Sequence, residues 1–172
     1  RTIIITTGVD YKKLETKGIG DFTGAGIYYG AAMTEASFCK DKEVYIVGGG
    51  NSAGQAAMYL AKFAKSIYII IRKEDLTSSM SAYLIDQINR TDNIKVLGKT
   101  EIKEAMGKDR LQEVVIGSID GGDRETKQAD ALYIFIGSRP YTDWIGEDII
   151  RNDKGFIETG RDAMGHDEFN KI

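Results

Sequence analysis

The chain has 172 residues, 42% of them hydrophobic, enough to bury a sizeable core in one domain, or one domain with pieces of another, which excludes disorder as its main state. Its 23 basic and 26 acidic residues give a formal net charge of -3, so neither nucleic acid nor an anionic membrane is attracted overall and a phosphate ligand needs a local site. One cysteine, Cys39, excludes an internal disulfide, and with one histidine, His166, a zinc site lacks soft ligands.

The longest apolar stretches, TIIIT and SIYIII, fall far short of the roughly 20 residues that span a bilayer, so we expect a soluble, cytoplasmic protein with no membrane or nucleic-acid partner. Arg1 opens directly on an apolar run and reads as the edge of something longer. Thr2 to Thr6 predicts a short buried strand closed by Gly8. Residues 9–25 read as connection, with Gly18, Gly20 and Gly24 breaking any period, and Gly26 to Tyr29 suits another strand. Val44 to Val47 is an apolar strand, Gly48 to Asn51 a tight turn, and Ser52 to Lys65 a helix with Ala53, Ala56, Ala57, Leu60 and Ala64 on one face. Ser66 to Ile71 is apolar enough for a parallel strand buried on both faces, which completes a βαβ unit.

Ser78 or Ser79 is placed to cap a second helix with Ala82, Ile85 and Ile88 inward and Leu84 beside them, and Ile94 to Leu97 follows as a third parallel strand. From Thr100 the pattern changes to partial alternation. Glu101–Ala105, Leu111–Ile116 and the run RETKQ, joined by turns at residues 106–110 and 120–123, predict a three-stranded antiparallel meander. Ala131 to Ile136 returns as a buried strand ending at Gly137, and the tail from Ser138 reads as mostly irregular.

Gly48, Gly50 and Ala53 fit G-x-G-x-x-A between a strand and a helix. The first small residue permits the turn, the second lets backbone approach a pyrophosphate, and the third lets helix and strand pack closely. Amides at the helix start then face the phosphate, favoured by the helix dipole. An acidic residue after the second strand would suit the ribose hydroxyls of NAD or FAD, or those of a methyltransferase's cofactor, whereas Arg72 and Lys73 suit the 2′-phosphate of NADP. Glu74 complicates this, because it could pair with Lys73 or repel phosphate. The bland alternatives are a merely tight turn and ordinary solvated loop charges.

These stretches resemble the pyridine-nucleotide domain of the two-domain FAD-dependent pyridine nucleotide-disulfide oxidoreductases, thioredoxin reductase-like. TIIITTG is similar to that family's strand before an A-T-G turn, VGGGNSA to its V-I-G-G-G-D-[ST]-A, IRKE to its H-R-R-D, ALYIFIGSRP to its later strand ending in I-G-x-x-P, and GFIETG to the segment before its FAD-binding G-D. The resemblance covers nearly the whole chain, with the motifs in order. With the elements above it implies an α/β, Rossmann-like three-layer domain: a parallel sheet with helices on one face and a three-stranded antiparallel meander on the other. It further implies a remnant strand and linker of an FAD domain at 1–25, the NADP-binding domain at 26–140, and a return linker at 141–172.

By that resemblance NADPH is held by Gly48, Gly49, Gly50, Asn51, Ser52 and Ala53, with Gln55 near the nicotinamide amide, Arg72 and Lys73 on the 2′-phosphate, and Ile136 and Gly137 lining the other side. FAD would bind only in the full-length protein, whose missing FAD domain is the first partner implied; the electron acceptor is unspecified, and a homodimer is compatible. Two departures stand out. Gly30 to Met33 (GAAM) occupies the slot of the family's C-x-x-C, so this chain has no dithiol relay, and Thr77 stands where a further Arg is frequent. No catalytic residue or metal ligand is expected in this chain. Cys39 reads as a small packing residue, His166 as an exposed loop histidine, Tyr28 and Tyr29 as packing at a domain seam or meeting the nicotinamide, and Trp144 as ambiguous. The alternative reading is a non-catalytic nucleotide-binding or regulatory module on a reductase-like scaffold.

Overall fold

The structure, a computed structural model, describes residues 4, 6–30 and 36–165. In chain order its elements are β1 (Val9–Tyr11), β2 (Ile27–Tyr29), β3 (Glu43–Val47), α1 (Asn51–Leu60), β4 (Ser66–Ile70), α2 (Ala82–Asn89), β5 (Ile94–Leu97), β6 (Thr100–Gly107), β7 (Leu111–Ser118), β8 (Arg124–Gln128), β9 (Ala131–Ile134), β10 (Ser138–Pro140) and α3 (Gly160–Met164). They fall into two compact units, Lys13–Ile136 and, within its described residues, Arg1–Lys12 with Gly137–Ile172.

In the larger unit a parallel five-stranded sheet runs β2-β9-β3-β4-β5, and β6-β7-β8 form a separate antiparallel sheet. The period of two along each parallel strand sorts its side chains between two cores. Val44 and Ile46 of β3, Ile67 and Ile69 of β4, and Ala131 and Tyr133 of β9 join Ala53, Ala57 and Leu60 of α1 and Leu84 and Ile88 of α2. The residues between them, Tyr45, Ile70, Leu132 and Ile134, join Ile102, Leu111, Val114 and Ile116 of the meander. Both faces of the sheet are therefore covered, helices on one and meander on the other, as the sequence predicts. Such strands must be apolar throughout.

From β3 the chain steps outward through α1, β4 and α2 to β5, then returns through the meander to place β9 on the opposite side of β3. The direction of travel reverses at β3. In an open parallel sheet that reversal leaves a crevice beyond the carboxyl ends of the two strands, here β9 and β3.

Several local expectations change. The helix predicted through Lys65 ends at Leu60, because the N–H groups of Lys65 and Ser66 already bond the Lys42 carbonyl at 2.9 and 3.3 Å. The amide of Asn93 meanwhile donates to the carbonyls of Ala61 and Ala64 at 2.9 and 3.0 Å, satisfying acceptors beyond the helix end. The second helix begins at Ala82 after Ser81, not at Ser78 or Ser79, and Ala82 is exposed, so its inward stripe is Leu84, Ile85 and Ile88.

Residues 9–25 are not simple connection. Val9–Tyr11 pairs antiparallel with Ser138–Pro140, within a tail expected to be irregular; neither triplet is apolar enough to announce a strand. In the larger unit Ile19 and Phe22 are buried against the meander, and the Ala105 N–H bonds the Lys17 carbonyl at 2.9 Å. Most of the strand expected at Thr2–Thr6 lies outside the described residues, and Ile4, which is described, is exposed and outside any strand.

Tyr45 is 2% exposed and stacks on Tyr68 with ring centroids 4.8 Å apart. Burial, then the neighbouring Tyr68 and Glu43, pushes its phenol above the usual tyrosine range. The folded phenol thus keeps its proton where the unfolded one, at 10.0, loses it, so stability is intact below that value and falls as pH rises through the folded pKa. Tyr45→Phe should flatten the alkaline loss of stability in urea unfolding as pH rises above about 10, while an unchanged slope would argue against this role for the phenol.

Candidate functional site

The turn after β3 is shaped by a close approach of β9. The Phe135 N–H bonds the Val47 carbonyl at 2.7 Å, and its own carbonyl then faces Gly48, where a Cβ would sit 2.3 Å away. Gly48 also has φ +136, which side-chain-bearing residues rarely adopt, and its N–H bonds the Ile70 carbonyl of β4 at 3.1 Å. No other residue type fits there. Gly50 differs: a Cβ on it would meet nothing within 4 Å, so its backbone borders open space.

Gly50 is also the N-cap of α1, in extended conformation and without a side-chain cap. The first amides of the helix have no intrahelical acceptor, and no acidic residue stands in the first turn to satisfy or repel charge there. Ser52 is exposed beside this end and Ala53 is buried at 1%. Close packing relies on a glycine that sequence reading passed over: a Cβ on Gly54 would sit 2.6 Å from Leu84 Cδ2 and 2.8 Å from Met80 Sδ. Gln55 is exposed on the same helix.

A loop from residue 76 to 81 supports the turn. Ser79 Oγ donates to the Gly49 carbonyl at 2.9 Å, and Asn51 Oδ1 accepts from Ser81 N–H at 2.8 Å and Ser81 Oγ at 3.1 Å. Asn51 thereby ties the start of α1 to that of α2. The hydroxyls read as helix caps are used as braces, a role with no local sequence signal.

Arg72 and Lys73 follow β4 and are exposed. Lys73 Nζ donates to Ser78 Oγ at 2.9 Å, and Glu74 pairs across 3.5 Å with Lys99 rather than with Lys73. Among the described residues the Arg72 guanidinium has no ion pair or hydrogen bond. Thr77, in the slot where the resemblance places a further Arg, donates its hydroxyl at 2.6 Å and its N–H at 2.9 Å to Asp75 Oδ1, and these bonds hold the Asp75 carboxyl below its ordinary range. The Lys99 N–H bonds the Lys73 carbonyl at 2.8 Å, and Gly98 lies so close that a Cβ would be 2.0 Å from the Glu74 carbonyl oxygen.

Ile136 leaves the carboxyl end of β9, half-buried on the meander side. The structure thus gathers Gly48 to Ala53, Arg72, Lys73 and Ile136 at the carboxyl ends of three adjacent strands. Gly137 belongs to the smaller unit, with φ +106 and its carbonyl accepting the Lys12 N–H at 3.0 Å. Tyr28 stacks on Tyr133 at 5.3 Å, and the Tyr29 hydroxyl accepts the Leu14 N–H at 3.1 Å, so both pack within the larger unit. Cys39 is buried, its Sγ 3.3 Å from the Tyr133 hydroxyl, as suits a packing residue. In the smaller unit Trp144 is exposed and donates its indole N–H to the Tyr141 carbonyl at 3.0 Å. His166 and Ala31–Met33 lie outside the described residues.

The arrangement suits a ligand carrying a diphosphate: uncapped amides beside open backbone, no competing carboxylate in the helix's first turn, and a guanidinium one strand over. The family model described as pyridine nucleotide-disulphide oxidoreductase matches residues 1–165. The thioredoxin reductase of Bacillus subtilis (strain 168) is 35% identical over 164 residues, covering 92% of this chain and 50% of that protein. A 34.2 kDa protein in the rubredoxin operon of Clostridium pasteurianum is 28% identical over 159 residues, covering 92% and 51%. The crystal structure of thioredoxin reductase from Streptococcus pyogenes MGAS5005 superposes with a TM-score of 0.80 at 27% identity, covering 90% of this chain and 50% of that one. The chain spans about half the length of the curated relatives it matches.

The contrast between the two glycines is testable by thermal or urea unfolding. Gly48→Ala should lose about 2 kcal/mol or more to strain and the clash with Phe135, and Gly50→Ala less than about 1 kcal/mol; similar losses at both would contradict the geometry.

Proposed function

Because the chain belongs to the pyridine nucleotide-disulphide oxidoreductase family, we propose that the Lys13–Ile136 unit is the NADPH-binding domain of an FAD-dependent, thioredoxin reductase-like enzyme. The observation that carries this reading is the pairing of an uncapped helix start at Gly50 with a guanidinium at Arg72, one strand away, that is unengaged among the described residues. The Arg1–Lys12 and Gly137–Ile172 stretches would belong to the FAD domain of the full-length protein.

In this reading the backbone from Gly48 to Ser52 holds the diphosphate and the α1 dipole favours its charge. Arg72 contacts the 2′-phosphate, with Lys73 held beside it by Ser78. Gln55 would lie toward the nicotinamide amide, and Ile136 toward the other side of the cofactor. When both cofactors are bound, NADPH supplies a hydride to the flavin; the domain contributes orientation. With Cys39 as the chain's one cysteine, the acceptor would draw electrons by a route other than a dithiol in this chain, and the fragment alone would bind without turning over. That same lack of a dithiol favours the second reading, a regulatory nucleotide-binding module.

Calorimetry separates these. NADPH should bind more tightly than NADH, with no FAD binding to the chain alone, whereas absence of any nicotinamide nucleotide binding would defeat the enzyme-domain reading. Arg72→Ala should weaken NADPH about tenfold or more, the effect of losing a hydrogen bond to a charged group, and NADH less than about twofold. Equal losses for the two cofactors would remove the 2′-phosphate assignment.

A further inference from the structure

The loop after β4 carries as much negative as positive charge, and its members are not equally committed. Arg72 is unengaged among the described residues, Lys73 is hydrogen-bonded to a neutral hydroxyl, and Glu74 is paired with Lys99. Asp75 differs from all three. Its Oδ1 accepts both the N–H and the hydroxyl of Thr77, at 2.9 and 2.6 Å, bonds that fix its place without cancelling its charge, and among the described residues no cation pairs with it. The segment is anchored on both sides: Lys99 N–H to the Lys73 carbonyl at 2.8 Å, the close approach of Gly98 to Glu74, and the Ser79 and Met80 N–H groups to the Leu76 carbonyl at 3.1 and 3.0 Å.

Three residues of chain reach at most about 11 Å, so the Asp75 Cα lies within about one Debye length of the Arg72 Cα. A dianionic phosphate brought to the guanidinium would enter the field of a carboxylate that cannot swing away. A 2′-hydroxyl, being neutral, would not feel it.

We propose that Asp75, fixed by Thr77, is a specificity-determining residue that disfavours the 2′-phosphate and so narrows the preference for NADPH over NADH. The inference rests on the nucleotide-binding reading of the site, and it assigns to this loop an opposing anion in addition to the cations. It also gives Thr77 a role: where a third cation would reinforce phosphate binding, this side chain instead immobilises a negative charge.

The test is the affinity of the 172-residue chain and its Asp75→Asn variant for NADPH and for NADH, by calorimetry at low ionic strength. Asparagine keeps an Oδ1 to accept both Thr77 bonds, so charge changes and loop geometry is retained. NADPH should bind about threefold to tenfold more tightly to the variant and NADH within about twofold of the original, with the gain shrinking as salt rises. Asp75→Ser, a second neutral replacement, should move the ratio in the same direction. Unchanged affinities, or equal shifts for both nucleotides, would overturn the role of Asp75 while leaving the site intact. Failure of the unmodified chain to bind either nucleotide would overturn this inference together with the reading beneath it.

Discussion

The site depends on how near the backbone of β9 comes to the turn after β3. The Phe135 carbonyl occupies the volume a side chain at residue 48 would need, and the hydrogen bond from Phe135 to Val47 fixes that proximity. Sheet order makes it unavoidable, because β9 must insert beside β3 to complete the reversal that opens the crevice. The glycine there answers to neighbouring backbone, and only Gly50, two residues on, has open space before it. Two glycines in one motif therefore do different physical work, one admitting a strand and the other leaving open space at the start of α1.

Around that turn, order comes from small polar side chains. Ser79 and Ser81 reach from the lead-in of α2 to Gly49 and Asn51, while Ser78 and Thr77 organise the charges after β4. One short segment braces the glycine turn and sets the charges of the loop after β4. These groups are exposed, so their hydrogen bonds are individually modest and act mainly by reducing the conformations open to the turn and loop. A preordered site loses less entropy on binding.

The sequence made the layers legible because each rests on a local period. Val44 to Val47 and Ile67 to Ile70 are apolar without break because helices and meander cover opposite faces, and Ala53, Ala56, Ala57 and Leu60 repeat at helical spacing because one face of α1 is buried. The glycine turn was readable from its setting between strand and helix. What stayed hidden depends on partners distant in sequence. Val9–Tyr11 becomes a strand only against Ser138–Pro140, Gly54 is needed only because Leu84 and Met80 pack on it, and α1 stops early because Lys65 and Ser66 are drawn to Lys42. Ser79 misled for the same reason: a hydroxyl near a helix start suits a cap, and nothing in its neighbours reveals that its acceptor lies across the site at Gly49.

The outer meander strand has a consequence beyond the fold. β8 is mostly exposed and reads Arg-Glu-Thr-Lys-Gln, with no apolar residue, and among the described residues its far edge lacks a neighbour in its sheet. A bare strand edge offers hydrogen-bonding groups to any extended segment that arrives. Here an incoming chain would have to strip water from Arg124, Glu125 and Lys127 with no greasy surface in return. The molecule thereby keeps its open margin from becoming a template on which copies of itself stack.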